Sequence, residues 1–101
     1  MTVEGDGYRY KFVARDDSNV MGIAWSSSFN TIPGVIIDVE IPWGQLTPTL
    51  FGDTVMINTP FNTKTIAAIQ FVYSKYEYDG SLNPNFQEGS FHLEVKQISF
   101  Y

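Results

Sequence analysis

The sequence of 101 residues contains no cysteine and only one histidine. Without thiols the chain forms no disulfide, no thiolate nucleophile and no cysteine-ligated zinc site. The single histidine, His92, lies between Phe91 and Leu93 in an alternating pattern that places it on the solvent side of a strand. One exposed histidine supplies neither a zinc ligand set nor a catalytic triad. We therefore expect no catalytic residue, no metal site and no cofactor.

Basic residues are scarce as well, with six Lys and Arg against eleven Asp and Glu and a formal net charge of −5. A chain with this charge is repelled by phosphate groups. The basic residues also form no run: they are Arg9, Lys11, Arg15, Lys64, Lys75 and Lys96. We therefore expect no binding to nucleic acid or to an anionic membrane surface.

Long hydrophobic runs are absent too. The stretch from Ile66 to Tyr73 is among the longest apolar segments and is far too short to cross a bilayer. The N-terminus lacks the basic and then apolar pattern of a signal peptide. We predict no transmembrane segment, so that any membrane association occurs through partners. Because Met1 to Gly7 lead almost directly into a strand pattern, we expect the chain to be a piece of a longer protein.

Apolar residues make up 44% of the chain and aromatic residues 16%, which is enough for one domain, residues 1–101, with a packed core. No segment of helix length shows a 3.6-residue apolar period, whereas several short segments alternate with a period of two. Glycine and proline turns separate these segments. The pattern predicts an all-β fold, a sandwich or jelly roll.

The strands are predicted from the alternation of apolar and polar residues. Ala68 to Tyr76 is expected to be the best buried strand. In the last strand, strict alternation from Phe91 places Ile98 and Phe100 on the face opposite to the core. A one-residue bulge near Lys96 or Gln97 returns both to the core. The predicted strands are Tyr8 to Arg15, Val20 to Phe29, Val35 to Ile41, Asp53 to Ile57, Ala68 to Tyr76 and the segment from Phe91 onward.

Two long loops are predicted between these strands. Pro42 and Pro48 cannot donate to a sheet ladder, so Pro42 to Gly52 is expected to be irregular. The polar stretch from Glu77 to Gly89 forms the second loop. Long loops that lie outside the sheets and carry aromatic and acidic side chains are plausible contact surfaces.

Three segments resemble the complex I intermediate-associated protein 30 (CIA30) family: Gly22 to Thr31, Val39 to Gly52 and Gly89 to Tyr101. The middle segment is the most specific. There the chain matches the family pattern of a strand ending in Ile-Pro-aromatic, then an apolar position, a Pro-Thr pair and a glycine. Two positions depart from the pattern, since the family has an aromatic residue near Ile36 and an arginine where Phe51 stands. The matching residues are Ile41, Pro42, Trp43, Leu46, Pro48, Thr49 and Gly52.

The resemblance implies a galactose-binding-like β-sandwich without catalytic machinery. It implies an assembly factor or chaperone for respiratory complex I, or a plastid protein that serves photosynthetic complexes. The location implied is the mitochondrial matrix or the plastid stroma, and the partners implied are subunits of a membrane protein complex. Because the family domain normally begins with additional strands, we expect this sandwich to be incomplete at its N-terminus.

Flat aromatic side chains bind sugars in related sandwiches and also enrich protein interfaces. Our first hypothesis is a non-enzymatic protein-binding domain of an organellar membrane redox complex, and the alternative is a carbohydrate-binding module. The loop aromatics are dispersed among Pro, Thr and acidic residues, which favours protein binding. For Trp43, contact with a partner and a role at the core edge remain equally open. The candidate partner-binding residues are Trp43, Leu46, Phe51, Tyr76 and Tyr78.

Acidic residues were considered as ligands and as catalysts. Asp16 and Asp17 with Asn19, or Asp6 with Glu4, offer oxygen ligands for calcium, but neither set has the spacing of a dedicated calcium loop. Turn formation is the favoured role of these carboxylates. Glu77 and Asp79 are set aside as a glycosidase pair, because no second acidic cluster faces their loop.

Overall fold

The computed structural model describes residues 1–16, 23–56, 61–84 and 86–99. Two antiparallel sheets pack face to face as a jelly-roll-like β-sandwich, which confirms the predicted fold class. The smaller sheet has the strand order β4-β1-β8, and the larger sheet has the order β6-β5-β3-β2-β7. The strands are Thr2–Gly5 (β1), Arg9–Asp16 (β2), Ala24–Asn30 (β3), Ile36–Asp38 (β4), Thr47–Leu50 (β5), Asp53–Thr54 (β6), Ile66–Val72 (β7) and Leu93–Gln97 (β8).

The core lies between the two sheets and follows the predicted alternation in β2. Tyr10, Phe12 and Ala14 are buried on the inner face of that strand. Aromatic contacts dominate the core, since Phe12 packs edge-on against Phe71 at a centroid distance of 5.7 Å. The buried hydrophobic cluster consists of Val3, Tyr10, Phe12, Ala14, Trp25, Phe29, Leu46 and Phe61.

Strand β1 is the centre of the smaller sheet and was not predicted from the sequence. It pairs with β4 on one side and with β8 on the other. Val3 is completely buried. Four residues ending in glycine carry too short an alternation to identify a strand by pattern alone, and the pairing partners lie more than 30 residues away in sequence.

The predicted bulge in the last strand is confirmed. Thr2 pairs with Gln97 and Val3 pairs with Val95, so Lys96 is the extra residue opposite β1. The bulge changes the parity of the strand, and Ile98 is half-buried after it. Phe100 lies outside the described residues.

The prediction of an irregular loop over Pro42 to Gly52 is wrong. Trp43–Gln45 form a 3₁₀ helix, and β5 follows at Thr47–Leu50. Pro48 pairs with Trp25, and its carbonyl accepts the Val55 N–H at 3.1 Å on the β6 side. Since N and O of one strand residue point the same way, the missing N–H of Pro48 also faces β6. The strand tolerates this proline because β6 is only two residues long.

The prediction that Ala68 to Tyr76 is the best buried strand is also wrong. Strand β7 is an edge strand, and Ala67, Ala68 and Gln70 are exposed. Ile69 and Phe71 do pack on the core as expected. Strands β4 and β6 are shorter than predicted, and Val20 to Gly22 and Ile57, which we assigned to strands, lie outside the described residues.

Candidate partner-binding surface

The loop after β7 folds back across the outer face of the larger sheet. Residues 75–83, which we call the strap, form a small hairpin in which Tyr76 pairs with Leu82. The Asn83 N–H donates to the Lys75 carbonyl at 2.8 Å, and the Glu77 N–H donates to the Ser81 carbonyl at 2.7 Å. The first part of the predicted loop, up to Asn83, is therefore an element with its own hydrogen bonds.

Glu77 attaches the strap to the centre of the sheet. One carboxylate oxygen accepts Arg9 Nε–H from β2 at 3.0 Å, and the other accepts the Ser28 hydroxyl from β3 at 2.8 Å. The side chains of Arg9 and Glu77 are only 28% and 14% exposed. A charge pair with an additional hydrogen bond in this partly covered position holds the strap more firmly than a surface ion pair would.

Lys11 and Tyr78 make a second attachment beside Glu77. The Lys11 ammonium donates to the backbone carbonyls of Tyr76 and Glu77 and lies 4.9 Å from the centre of the Tyr78 ring. Burial lowers the pKa of Lys11, although the Glu77 carboxylate acts in the opposite direction. Burial raises the pKa of the Tyr78 hydroxyl, which lies 3.3 Å from the Ser28 hydroxyl.

The tip of the strap meets the turn between β5 and β6. The Asp79 N–H donates to the Gly52 carbonyl at 3.1 Å. The Asp79 carboxylate accepts the Thr54 N–H at 2.8 Å and the Thr54 hydroxyl at 3.0 Å. The strap therefore spans the sheet from β7 at one edge to the β5–β6 hairpin at the other.

Strap and hairpin together present large apolar side chains to solvent. We call this set the strap–hairpin surface. The exposed fractions are 98% for Phe51, 100% for Met56, 50% for Tyr76 and 63% for Leu82. Large exposed apolar side chains are typical of a binding surface when they lie together, and these four lie on or beside two elements that Asp79 joins.

The five residues predicted from the sequence to bind a partner lie in different environments. Phe51 and Tyr76 lie on the strap–hairpin surface, and the side chain of Tyr78, also a strap residue, is half-buried against the sheet. Leu46 is only 5% exposed and belongs to the core, so its prediction as a partner-binding residue is corrected. Its sequence neighbours Gln45 and Thr47 gave no alternation that would show the 3₁₀ helix turning Leu46 inward.

Trp43 lies at the other end of β5 from Phe51. It is half-buried and stacks on Phe61 with a centroid distance of 5.3 Å and an interplanar angle of 18°. It also lines an apolar cleft of about 350 Å³ together with Phe12 and Ile41. The contact with Phe61 gives Trp43 a structural role at the core edge.

Asp6, considered above as a calcium ligand, has a structural role in the described chain. Its carboxylate accepts hydrogen bonds from the backbone N–H of Tyr8, the Tyr10 hydroxyl and the backbone N–H of His92. Glu4 lies 4.0 Å from the Lys96 ammonium. Within residues 1–16, 23–56, 61–84 and 86–99, no group of three His, Cys, Asp or Glu residues is placed to hold a metal ion. Asp17 and Asn19 lie outside these ranges.

The exposure of Met56 and Leu82 and the contact between Asp79 and the hairpin were not predicted from the sequence. The dipeptide Asp79-Gly80 was the available signal for a tight turn with positive φ, and Gly52 indicated a second turn. Such a signal identifies each turn but not the pairing of the two turns.

Comparison with known proteins identifies one protein family that matches the chain. The model of the Complex I intermediate-associated protein 30 (CIA30) family matches residues 1–95. No curated protein and no solved structure matches the chain significantly. In the described part of the chain, no helix has the length and apolar character needed to span a bilayer.

Proposed function

This chain belongs to the CIA30 family, and on that premise we propose that it is a non-enzymatic protein-binding domain. It acts as an assembly factor or accessory subunit of an organellar membrane redox complex, either respiratory complex I or a photosynthetic complex. Its partners are subunits of that complex, and it works in the mitochondrial matrix or the plastid stroma.

The observation that carries this proposal is the strap–hairpin surface. Phe51 and Met56 are almost fully exposed, although side chains of this kind are normally buried. The turn that carries Phe51 is fixed by the Asp79 contacts to Gly52 and Thr54. Aromatic residues and Met are enriched in protein interfaces, and an ordered surface binds with a smaller entropic cost than a mobile loop.

Protein binding is favoured over the carbohydrate-binding alternative by the position of the strap. A sugar platform on the outer face of the larger sheet needs open aromatic rings. The strap instead covers the middle of that face, and Lys11 lies over the half-buried Tyr78 ring. The Phe51 ring is almost fully exposed at a turn and offers no groove for a sugar chain.

The acidic side chains of the strap support a non-enzymatic role. Both oxygens of Glu77 accept hydrogen bonds from Arg9 and Ser28, and both oxygens of Asp79 accept hydrogen bonds from Thr54. These carboxylates are engaged in holding the strap on the sheet. They are not arranged as an acid and a base on two sides of a substrate.

The proposal is tested by affinity capture from detergent-solubilised mitochondrial and thylakoid membranes, with quantitative mass spectrometry of the retained subunits. The test variant replaces Phe51, Met56, Tyr76 and Leu82 by Ser. The control replaces three exposed apolar residues in β4 and just before it, Ile32, Val35 and Ile36, by Ser. We expect the wild type and the control to retain subunits of one redox complex and the test variant to lose them.

Circular dichroism must show that both variants keep the β spectrum. If the test variant retained as many subunits as the wild type, the strap–hairpin surface would not be the binding surface. A glycan array is measured in parallel, and selective glycan binding without any retained subunit would replace the proposal by the carbohydrate-binding alternative.

A further inference from the structure

Phe51 and Asp79 share an uncommon backbone conformation. Among the non-glycine residues that the structure describes, these two have positive φ, 51° for Phe51 and 55° for Asp79. Asp adopts this left-handed region with several-fold enrichment, whereas a bulky aromatic residue does so rarely. Strained residues of this kind persist where the surrounding structure enforces them, and they cluster at binding sites.

The two residues occupy two turns that are bonded to each other. Phe51 precedes Gly52 with φ of 84°, and Asp79 precedes Gly80 with φ of 78°. Two consecutive positive φ values are the geometry of a tight hairpin turn. The Asp79 N–H and carboxylate bond to Gly52 and Thr54, which lie just after Phe51. The Asp79 turn therefore fixes the position of the Phe51 turn.

The result is a rigid turn with an aromatic side chain that packs against almost nothing. Phe51 is 98% exposed, so the fold gains little from burying its ring. A ring held outward by a fixed backbone loses little freedom when it enters a pocket on another protein. Such anchors are typical of the few residues that dominate an interface.

The charge around Phe51 indicates the chemistry of the pocket. Residues 47–56 contain the carboxylate Asp53 and no Lys or Arg. In the strap, Glu77 is paired with Arg9, the Asp79 carboxylate is bonded to Thr54, and Lys75 lies four residues before Asp79. Asp53 is exposed and lies two residues from Phe51. Complementary charge across an interface speeds association and suppresses wrong partners, so the fitting surface is basic.

We infer that Phe51 is a preformed anchor that enters an apolar pocket on a subunit of the redox complex, an inference that rests on the proposed function. Lys and Arg side chains form the rim of that pocket. Asp79 is the positioning residue, since it holds the turn that presents Phe51. Asp53 contributes selectivity for the basic rim.

The first test measures the concentration at which a detergent-solubilised fraction of complex I and its assembly intermediates half-saturates the immobilised chain. Solubilised thylakoid complexes are measured in parallel. We expect Phe51→Ala to weaken binding roughly 30-fold. Asp79→Gly removes the clamp without backbone strain and is expected to weaken binding about threefold to tenfold. Asp79→Asn keeps an acceptor and tolerates positive φ, so it should bind nearly as wild type.

A double-mutant cycle separates positioning from a general structural effect. If Asp79 acts through Phe51, then Asp79→Gly has no further effect in the Phe51→Ala background. Additive losses would overturn the positioning role. Asp53→Lys should weaken binding about tenfold through repulsion by the basic rim. Glu88→Lys makes the same charge change at another exposed position and should leave binding unchanged.

The possible outcomes test the role of Phe51 as an anchor separately from the proposed function. Retention of subunits by the wild type with no loss in Phe51→Ala would overturn the anchor and leave the proposed function intact. Retention of no subunit by the wild type would overturn both. Phe51-dependent binding to protein-free phosphatidylcholine and phosphatidylethanolamine vesicles would also overturn the anchor, because the ring would then enter a lipid surface.

Discussion

The carboxylate of Asp6 accepts the backbone N–H of His92 at 2.6 Å, across 86 residues of sequence. The same carboxylate accepts the Tyr10 hydroxyl at 2.8 Å and the Tyr8 N–H at 3.2 Å. Burial by itself would raise the pKa of Asp6, but these hydrogen bonds outweigh it, so the pKa is lowered. Asp6 thus joins the segment between β1 and β2 to the start of β8.

We expect Asp6→Asn to lower the free energy of unfolding at pH 7 by roughly 1–3 kcal/mol, since charged hydrogen bonds of a partly buried group are lost. Because the folded-state pKa is lowered, the stabilisation by Asp6 is complete above its ordinary pKa of 3.8 and disappears as the pH falls through the lowered value. Urea unfolding from pH 7 to pH 3 measures the effect. A difference between variant and wild type that stays constant over this range would contradict it, and Asp53→Asn serves as an exposed control.

The contact of Glu77 with Arg9 and Ser28 predicts a local effect on the strap. We expect Glu77→Ala to cost about 1–3 kcal/mol, because Arg9 and Ser28 lose a charged partner in a partly covered site. Hydrogen exchange should rise in residues 75–83 and stay low in β1 and β8. Glu94→Ala removes a surface ion pair with Lys96 at 3.2 Å and should cost less than about 0.5 kcal/mol. Equal protection of the strap in Glu77→Ala and the wild type would disprove the attachment.

The close approach of Gly5 to Thr31 predicts a steric effect. A Cβ at Gly5 would lie 2.5 Å from the Thr31 Cβ. Thr31 is buried, and its hydroxyl bonds both the Gly7 N–H and the Tyr8 carbonyl, so it cannot move aside freely. We expect Gly5→Ala to destabilise the domain by about 1–3 kcal/mol. Gly44→Ala is the control, because a Cβ there meets nothing within 4 Å. Thermal unfolding compares the two, and equal melting temperatures would refute the prediction.

The stack of Trp43 on Phe61 predicts that Trp43 stabilises the domain. Trp43→Ala should cost roughly 2–4 kcal/mol, somewhat less than for a fully buried aromatic residue. Trp43→Phe retains a flat ring on Phe61 and should recover most of this loss. Chemical denaturation gives the stability, and capture of complex subunits gives the binding. If Trp43→Phe were stable but lost all subunits, Trp43 would be a contact residue after all.

Several features of the fold could be predicted because they depend on local pattern. The alternation in β2 places Tyr10, Phe12 and Ala14 in the core as expected. The parity change after Val95 predicted a bulge near Lys96 or Gln97, because a strand with one buried face cannot change parity without an extra residue. The structure places this bulge at Lys96. The strands β1 and β5 were not predicted, since β1 is very short and β5 contains a proline.

The candidate site could be predicted only in part. The exposed aromatic residues Phe51 and Tyr76 were identified because they follow predicted strands or lie in predicted loops. Leu46 was misassigned because an apolar residue in a loop has no periodicity that reveals its direction. The burial of the Tyr78 side chain against the sheet depends on Lys11 and Ser28, which are about 50 residues or more away in sequence.

The sequence by itself determined the all-β class, the family pattern and the excess of negative charge, because composition and period-two alternation act residue by residue. Only the tertiary structure decided that the Asp79 turn holds the Phe51 turn and that Glu77 attaches the strap to Arg9. These contacts join residues 27 and 68 positions apart. Such pairings depend on how the two sheets and their connections pack in space, which no local pattern encodes.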